Sequence, residues 1–141
     1  WKSRLRTKNC KDDLAYNESE RVNELFYPDA AAFIGQMVTA VIDRPALSTH
    51  PNGTIVYPIN YGYLPGVPAP DGDDLDVYVL NIAEPLAQFT GLCIAVIHRL
   101  NDNDDKLVLV PPGQTATDEQ ITAQTWFQEQ YFESIIIRSP T

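Results

Sequence analysis

Asp71-Gly72-Asp73-Asp74-Leu75-Asp76-Val77-Tyr78-Val79-Leu80 joins an acidic turn to a β-strand without a break. The second half is rich in β-branched and aromatic residues and runs on to Ile82, the signature of a strand with a buried face. In an extended chain Leu75 and Val77 face one way, while Asp74, Asp76 and Tyr78 face the other. The first half sets four aspartates within six residues. Carboxylates that close repel one another unless a cation or water lies between them. A turn on Gly72 brings Asp71 and Asp73 round to the same mouth, which suits a hard, oxygen-seeking ion such as Mg²⁺ or Mn²⁺. A calcium EF-hand is excluded, because its required glycine and glutamate positions hold Asp76 and Ile82. Taken alone, the run also reads as an acidic surface turn.

Working outward, further β-rich runs lie at residues 38–42, 54–59, 92–98 and 106–110, beside the 76–82 run. Pro45, Pro51-Asn52-Gly53 and Pro111-Pro112-Gly113 punctuate them. Thr117 then reads as a helix N-cap, with Gln120 at the capping-box position. Ala123, Phe127 and Tyr131, four residues apart, predict an apolar stripe on that helix. Five short strands and one late helix predict an α+β, mainly β fold: a small OB-like five-stranded barrel with a C-terminal helix packed on it. The barrel domain is expected over residues 33–141. Residues 1–32 are expected to be a polar N-terminal extension, flexible or partly helical around Glu18 to Phe26.

A chain of 141 residues suits one domain that buries roughly 68–70% of its unfolded surface. No apolar run approaches the roughly 18 residues of a membrane helix, and no secretory signal is evident. Cys10 and Cys93 are too few for a disulfide framework or a zinc site, so a cytoplasmic location is expected. Half of the ten basic residues fall within the first eleven positions. The remaining five face nineteen acidic residues, a balance that repels nucleic acid.

Two further constellations carry chemistry. Asp102-Asn103-Asp104-Asp105-Lys106 is a second acidic cluster, lying between two strands. It can converge with the first across a barrel mouth, with Lys106 placed to neutralise an anionic ligand or simply to serve as a loop lysine. Tyr57-Pro58-Ile59-Asn60-Tyr61-Gly62-Tyr63 supplies phenol groups that either donate to phosphate oxygens or pack a sheet.

Together these stretches resemble the soluble family I inorganic pyrophosphatases, in a short variant. The resemblance runs from Val41-Ile42-Asp43-Arg44-Pro45 through the tyrosine segment and Asp71 to Val77. It continues through residues 102–111 and ends near Phe127-Gln128-Glu129-Gln130-Tyr131. It implies that Asp71, Asp76, Asp102 and Asp104 bind metal and that Asp73 orients or deprotonates the attacking water. Lys106, Tyr61 and Tyr131 would hold phosphate oxygens, with Tyr57 and Asp43 behind them. The implied reaction is hydrolysis of inorganic diphosphate to two phosphates by metal-activated water, with Mg²⁺, or Mn²⁺ in its place, as cofactor. Pyrophosphate and further copies of the chain in a homo-oligomer are the expected partners, with no nucleic acid and no membrane. The alternatives are hydrolysis of a related phosphoanhydride and metal or phosphate binding without catalysis.

The chain also departs from the family pattern. Asp74 stands where proline or glutamate is usual, and Phe132 replaces the basic residue after the late tyrosine. Only thirteen residues separate Asp43 from Tyr57, so the basic hairpin of longer members is shortened or gone. Arg44, His50 or Arg99 could compensate, although both arginines also read as surface partners of nearby acids. His50 also reads as a loop histidine with a local partner, His98 as a packed or edge residue and Cys93 as core.

Overall fold

The computed structural model describes residues 29–49, 53, 56–102 and 104–140. The helix expected around Glu18 to Phe26 lies outside the described residues. A 3₁₀ turn, Asp29–Phe33, leads into β1 (Met37–Arg44), β2 (Asn60–Pro68), β3 (Asp74–Val79), β4 (Gln88–Arg99) and β5 (Asp105–Val110). Helix α1 (Asp118–Glu129) and β6 (Ser134–Ile137) follow. The strand order is β1-β2-β3-β5-β4, and antiparallel pairing of β1 with β4 closes the barrel. Strands β3 and β5 run parallel, and every other pairing is antiparallel. Among the described residues no helix is long and apolar enough to cross a membrane.

Period-2 alternation separates two cores. Val38, Ala40, Ile42, Leu64, Leu75, Val77, Val79, Leu107 and Leu109 fill the barrel interior, and Ala30 and Ala31 join them. Tyr78, Leu80, Val108 and Val110 point outward, where Ile121 of α1 covers them. Strands β3 and β5 are thus buried on both faces, which accounts for their continuous apolar runs. The twelve-residue β4 pairs with β1 along its first half and with β6 along its second. A register shift between Cys93 and Ala95 turns both Ile94 and Ala95 toward the outer core. Beyond this bulge, Val96 faces the interior, while Ile97 packs in the outer core.

Three expectations are corrected by the structure. The strand expected over residues 54–59 is replaced by one that starts at Asn60; residues 54 and 55 lie outside the described residues. Val56 forms only an isolated bridge with Thr49, and Pro58 has no N–H to give a ladder. The Asn60 side chain, fully buried, accepts from Ala46 N–H and Leu86 N–H and donates to the Glu84 carbonyl, tying two loops to the start of β2. Gly62 lets β1 cross closely, since a Cβ there would run into the Val41 carbonyl. Second, β6 was not anticipated and extends the sheet beyond the closed barrel. Third, α1 has its N-cap Thr117 and capping box with Gln120 as expected, but its buried stripe is Ile121, Thr125 and Glu129. Ala123 and Tyr131 are exposed, because the face lying on the barrel carries a polar network at its end.

Candidate active site

The register places Asp76 of β3 beside Lys106 of β5. Their neighbours Val77 and Leu107 fill the interior, so both polar side chains project from the outer wall, on the side of Tyr78 and Val108. The two acidic clusters therefore meet on the wall of the barrel and not across its mouth. Lys106 is 2% exposed, and its Nζ donates to Asp76 Oδ2 at 2.8 Å and to Asp104 Oδ2 at 2.9 Å. Burial works against its charge, but Tyr61, Asp76 and Asp104 together outweigh that and raise its pKa. Asp104, 8% exposed, has its pKa raised by burial and by the nearby charges of Asp76 and Asp71, with Lys106 opposing. Asp71 and Asp104 thus feel each other across the gap between the two loops.

Tyr61 lies over this pair, its ring centroid 5.5 Å from Lys106 Nζ. Burial, and to a lesser degree Asp76, hold its hydroxyl protonated and available as a donor, against the pull of Lys106. Tyr57, Tyr61, Tyr78 and Phe127 form a ring cluster, with adjacent centroids 5.1 to 6.1 Å apart. Tyr57 is buried, raised in pKa by that burial, and close enough to Arg44 and Asp43 to feel both charges. Arg44 and Asp43 form a half-exposed pair of their own at 3.8 Å.

The first acidic cluster is far more open. Asp71, Asp73 and Asp74 are exposed and Asp76 is half-buried. The Asp73 N–H donates to Asp71 Oδ1 at 3.0 Å, and Gly72 sits at φ +93°, a left-handed conformation that glycine adopts without strain. The turn therefore holds its carboxylates outward at the edge of the Lys106 site.

Glu129 was missed as a site residue, and Arg99 was raised as a cation that could compensate for the missing basic ligands, not as the centre of a buried cluster. Arg99 is 6% exposed, where the sequence suggested a surface pair. Its Nε and NH2 groups donate to Glu129 Oε1 at 3.1 Å and Oε2 at 2.7 Å, a two-pronged contact. Its NH1 group donates to Asp102 Oδ2 at 3.1 Å and lies 3.6 Å from Asp104 Oδ2. Tyr78 donates to Glu129 Oε2 at 2.6 Å, and the Phe132 ring lies 3.6 Å from the guanidinium. The only hint in the sequence was spacing: Glu129 falls four and eight residues after Thr125 and Ile121, on one helix face.

Of the remaining expected residues, Tyr131 is 67% exposed beyond α1, with no hydrogen bond from its hydroxyl to a described residue. His50 lies outside the described residues. His98 pairs with the buried Asp105 at 2.6 Å, a local partnership away from Lys106. Cys93 is core, its thiol pushed up to about 11 by burial.

Among the described residues, no three His, Cys, Asp or Glu side chains stand close enough to hold a metal ion by themselves. Mg²⁺ does not require such a cage, since it commonly takes one or two carboxylates plus waters and substrate phosphates. The open Asp71–Asp76 turn offers hard oxygen donors of that kind, so the donor set fits.

A small barrel bearing a buried lysine between carboxylates, a phenol donor and an open acidic turn offers groups that suit an anion such as phosphate. The family model for inorganic pyrophosphatase matches residues 36–136, and the chain belongs to that family. The solved inorganic pyrophosphatase from Ehrlichia chaffeensis is similar at 19% identity and a TM-score of 0.55, over 72% of this chain and 84% of that one. The Helicobacter pylori enzyme is similar at 17% identity and a TM-score of 0.55, with the same coverage. The Thermus thermophilus enzyme is similar at 18% identity and a TM-score of 0.51, over 81% of this chain and 87% of that one. No curated protein sequence matches this chain.

Proposed function

We propose that the Asp71–Asp76 turn and the Lys106 site together carry out the family's reaction, hydrolysis of inorganic diphosphate to two phosphates, with Mg²⁺ as cofactor. The observation that carries this reading is Lys106: a buried cation clasped by Asp76 of β3 and by Asp104 of the loop before β5, under Tyr61. Asp71 and Asp76 would hold the metal, with Asp104 engaged by Lys106 beside them. Bound there, the ion supplies charge neutralisation and lowers the pKa of water from 15.7 toward roughly 7.

The side chains supply the rest. Asp73, exposed and ordered by the Gly72 turn, accepts the proton of the attacking water at its carboxylate. Lys106 Nζ exchanges one carboxylate contact for a phosphate oxygen, and Tyr61 donates its protonated hydroxyl to another. Tyr131, exposed, and Arg44, half-exposed, are the candidates to grip the second phosphate. A cytoplasmic location and a homo-oligomer belong to the same proposal.

The test is phosphate release from pyrophosphate with Mg²⁺ and with Mn²⁺. Release dependent on the ion is expected, and none with either ion at micromolar enzyme would overturn the reading. One observation favours a second reading, binding without hydrolysis: both buried cations, Lys106 and Arg99, are already bonded to acids. Calorimetry showing tight metal or phosphate binding without turnover would select it.

A further inference from the structure

Arg99 has not been given a role by the reaction, yet it is the most elaborately held cation among the described residues. Its guanidinium is buried, bonded to Glu129 through two nitrogens and to Asp102 through the third, with Asp104 in range. The Phe132 ring packs against it, and Tyr78 fixes Glu129 from behind. A carboxylate cluster of this density ordinarily demands a cation. Here the chain provides one covalently.

We infer that Arg99 is a resident cation for the Asp102–Asp104–Glu129 side of the site, so that this side takes no metal ion and divalent binding is confined to the Asp71–Asp76 turn. Asp102, expected to bind metal on the strength of the family resemblance, is then a counter-ion of Arg99. Asp104 is shared between Arg99 and Lys106 and is the link between the two halves. The geometry is specific for guanidinium, because three of its nitrogens meet oxygens from two different elements.

The inference rests on the metal reading above for the ion count of the wild type, and the test separates the two. Mn²⁺ binding is counted by the spin-resonance signal of the free ion, on the full chain and on two variants. Asp102→Asn alters a half-exposed carboxylate and is expected to bind the same number of ions, with Kd within about twofold of wild type. Loss of an ion, or a tenfold weakening, overturns the inference. Arg99→Gln is expected to gain one ion per chain, and an unchanged count in the folded variant overturns the inference. Should Arg99→Gln not fold, the ion count and Kd of Asp102→Asn decide the inference by themselves. A wild type that binds no Mn²⁺ strikes the metal reading alone; the ion gained or not gained on removing Arg99 still decides this one.

Discussion

Two acidic clusters of similar composition face each other on the barrel wall, and they have opposite surroundings. In the Asp71–Asp76 turn the carboxylates are mostly exposed, and the cation contact is that of Asp76 with Lys106 at its inner end. In the Asp102–Asp104 cluster the acids meet two buried cations, and Glu129 of α1 joins them. Open carboxylates keep their oxygens for a metal or a proton. The buried Asp104 and Glu129 would cost several kcal/mol each without cations, so their oxygens are taken by Lys106 and Arg99, while Asp102 stays half-exposed at the edge of the pair. Residue type alone does not distinguish a ligand from a counter-ion; what lies beside it does.

The contrast can be broken first at the open turn. Asp73→Asn is expected to reduce turnover by about 10²- to 10⁴-fold, the usual worth of a general base, while metal binding stays mostly intact. Phosphate release and Mn²⁺ titration measured together check it; equal turnover would move the base elsewhere. On the buried side the effect should fall on stability. Glu129→Ala removes one partner of a buried pair and leaves Arg99 short of its two-pronged contact, which is expected to cost about 3–5 kcal/mol. Urea unfolding reads this, and a loss below about 1 kcal/mol would mean that the cluster is solvated after all.

A smaller and more diagnostic effect concerns pH. The folded-state pKa of Lys106 is raised above its ordinary 10.5 despite the opposing cost of burial, because Tyr61, Asp76 and Asp104 outweigh that cost. A cation with a raised folded pKa contributes stability fully below the unfolded value and loses it as pH climbs through the folded one. The stability difference between wild type and Lys106→Met should therefore be flat from pH 7 to about 10 and shrink only above about 10.5. A difference that already vanishes near pH 8 would contradict the ion-pair geometry. The smallest effect is expected at Asp74, the exposed departure from the family pattern. Asp74→Ala should change stability by no more than about 0.5 kcal/mol and leave turnover near wild type.

Much of this is legible in the sequence itself. Alternation in Leu75-Asp76-Val77-Tyr78 separated an inward apolar face from an outward polar one, and the structure keeps both. Thr117 and Gln120 marked the start of α1 at the right residues. What escaped depends on long-range events. Strand β2 occupies a stretch with Gly62, Pro65, Gly66 and Pro68 that local propensity disfavours, and the buried Asn60 side chain holds its start in place. Arg99 and Glu129 are thirty residues apart, and a bulge at Cys93 and Ala95 sets the facing of β4 before the arginine is reached. No period-2 count anticipates such a shift. The buried face of α1 was misjudged because it ends in Glu129, a charge that only its partner makes compatible with burial.

The division of labour between the two clusters has meaning only if the open one works on its substrate. The most direct measurement is phosphate released from pyrophosphate by the wild-type chain at micromolar concentration, with and without Mg²⁺. Release that requires the ion and disappears in Asp73→Asn is the predicted result. No release with either Mg²⁺ or Mn²⁺, from a folded chain, would contradict the account.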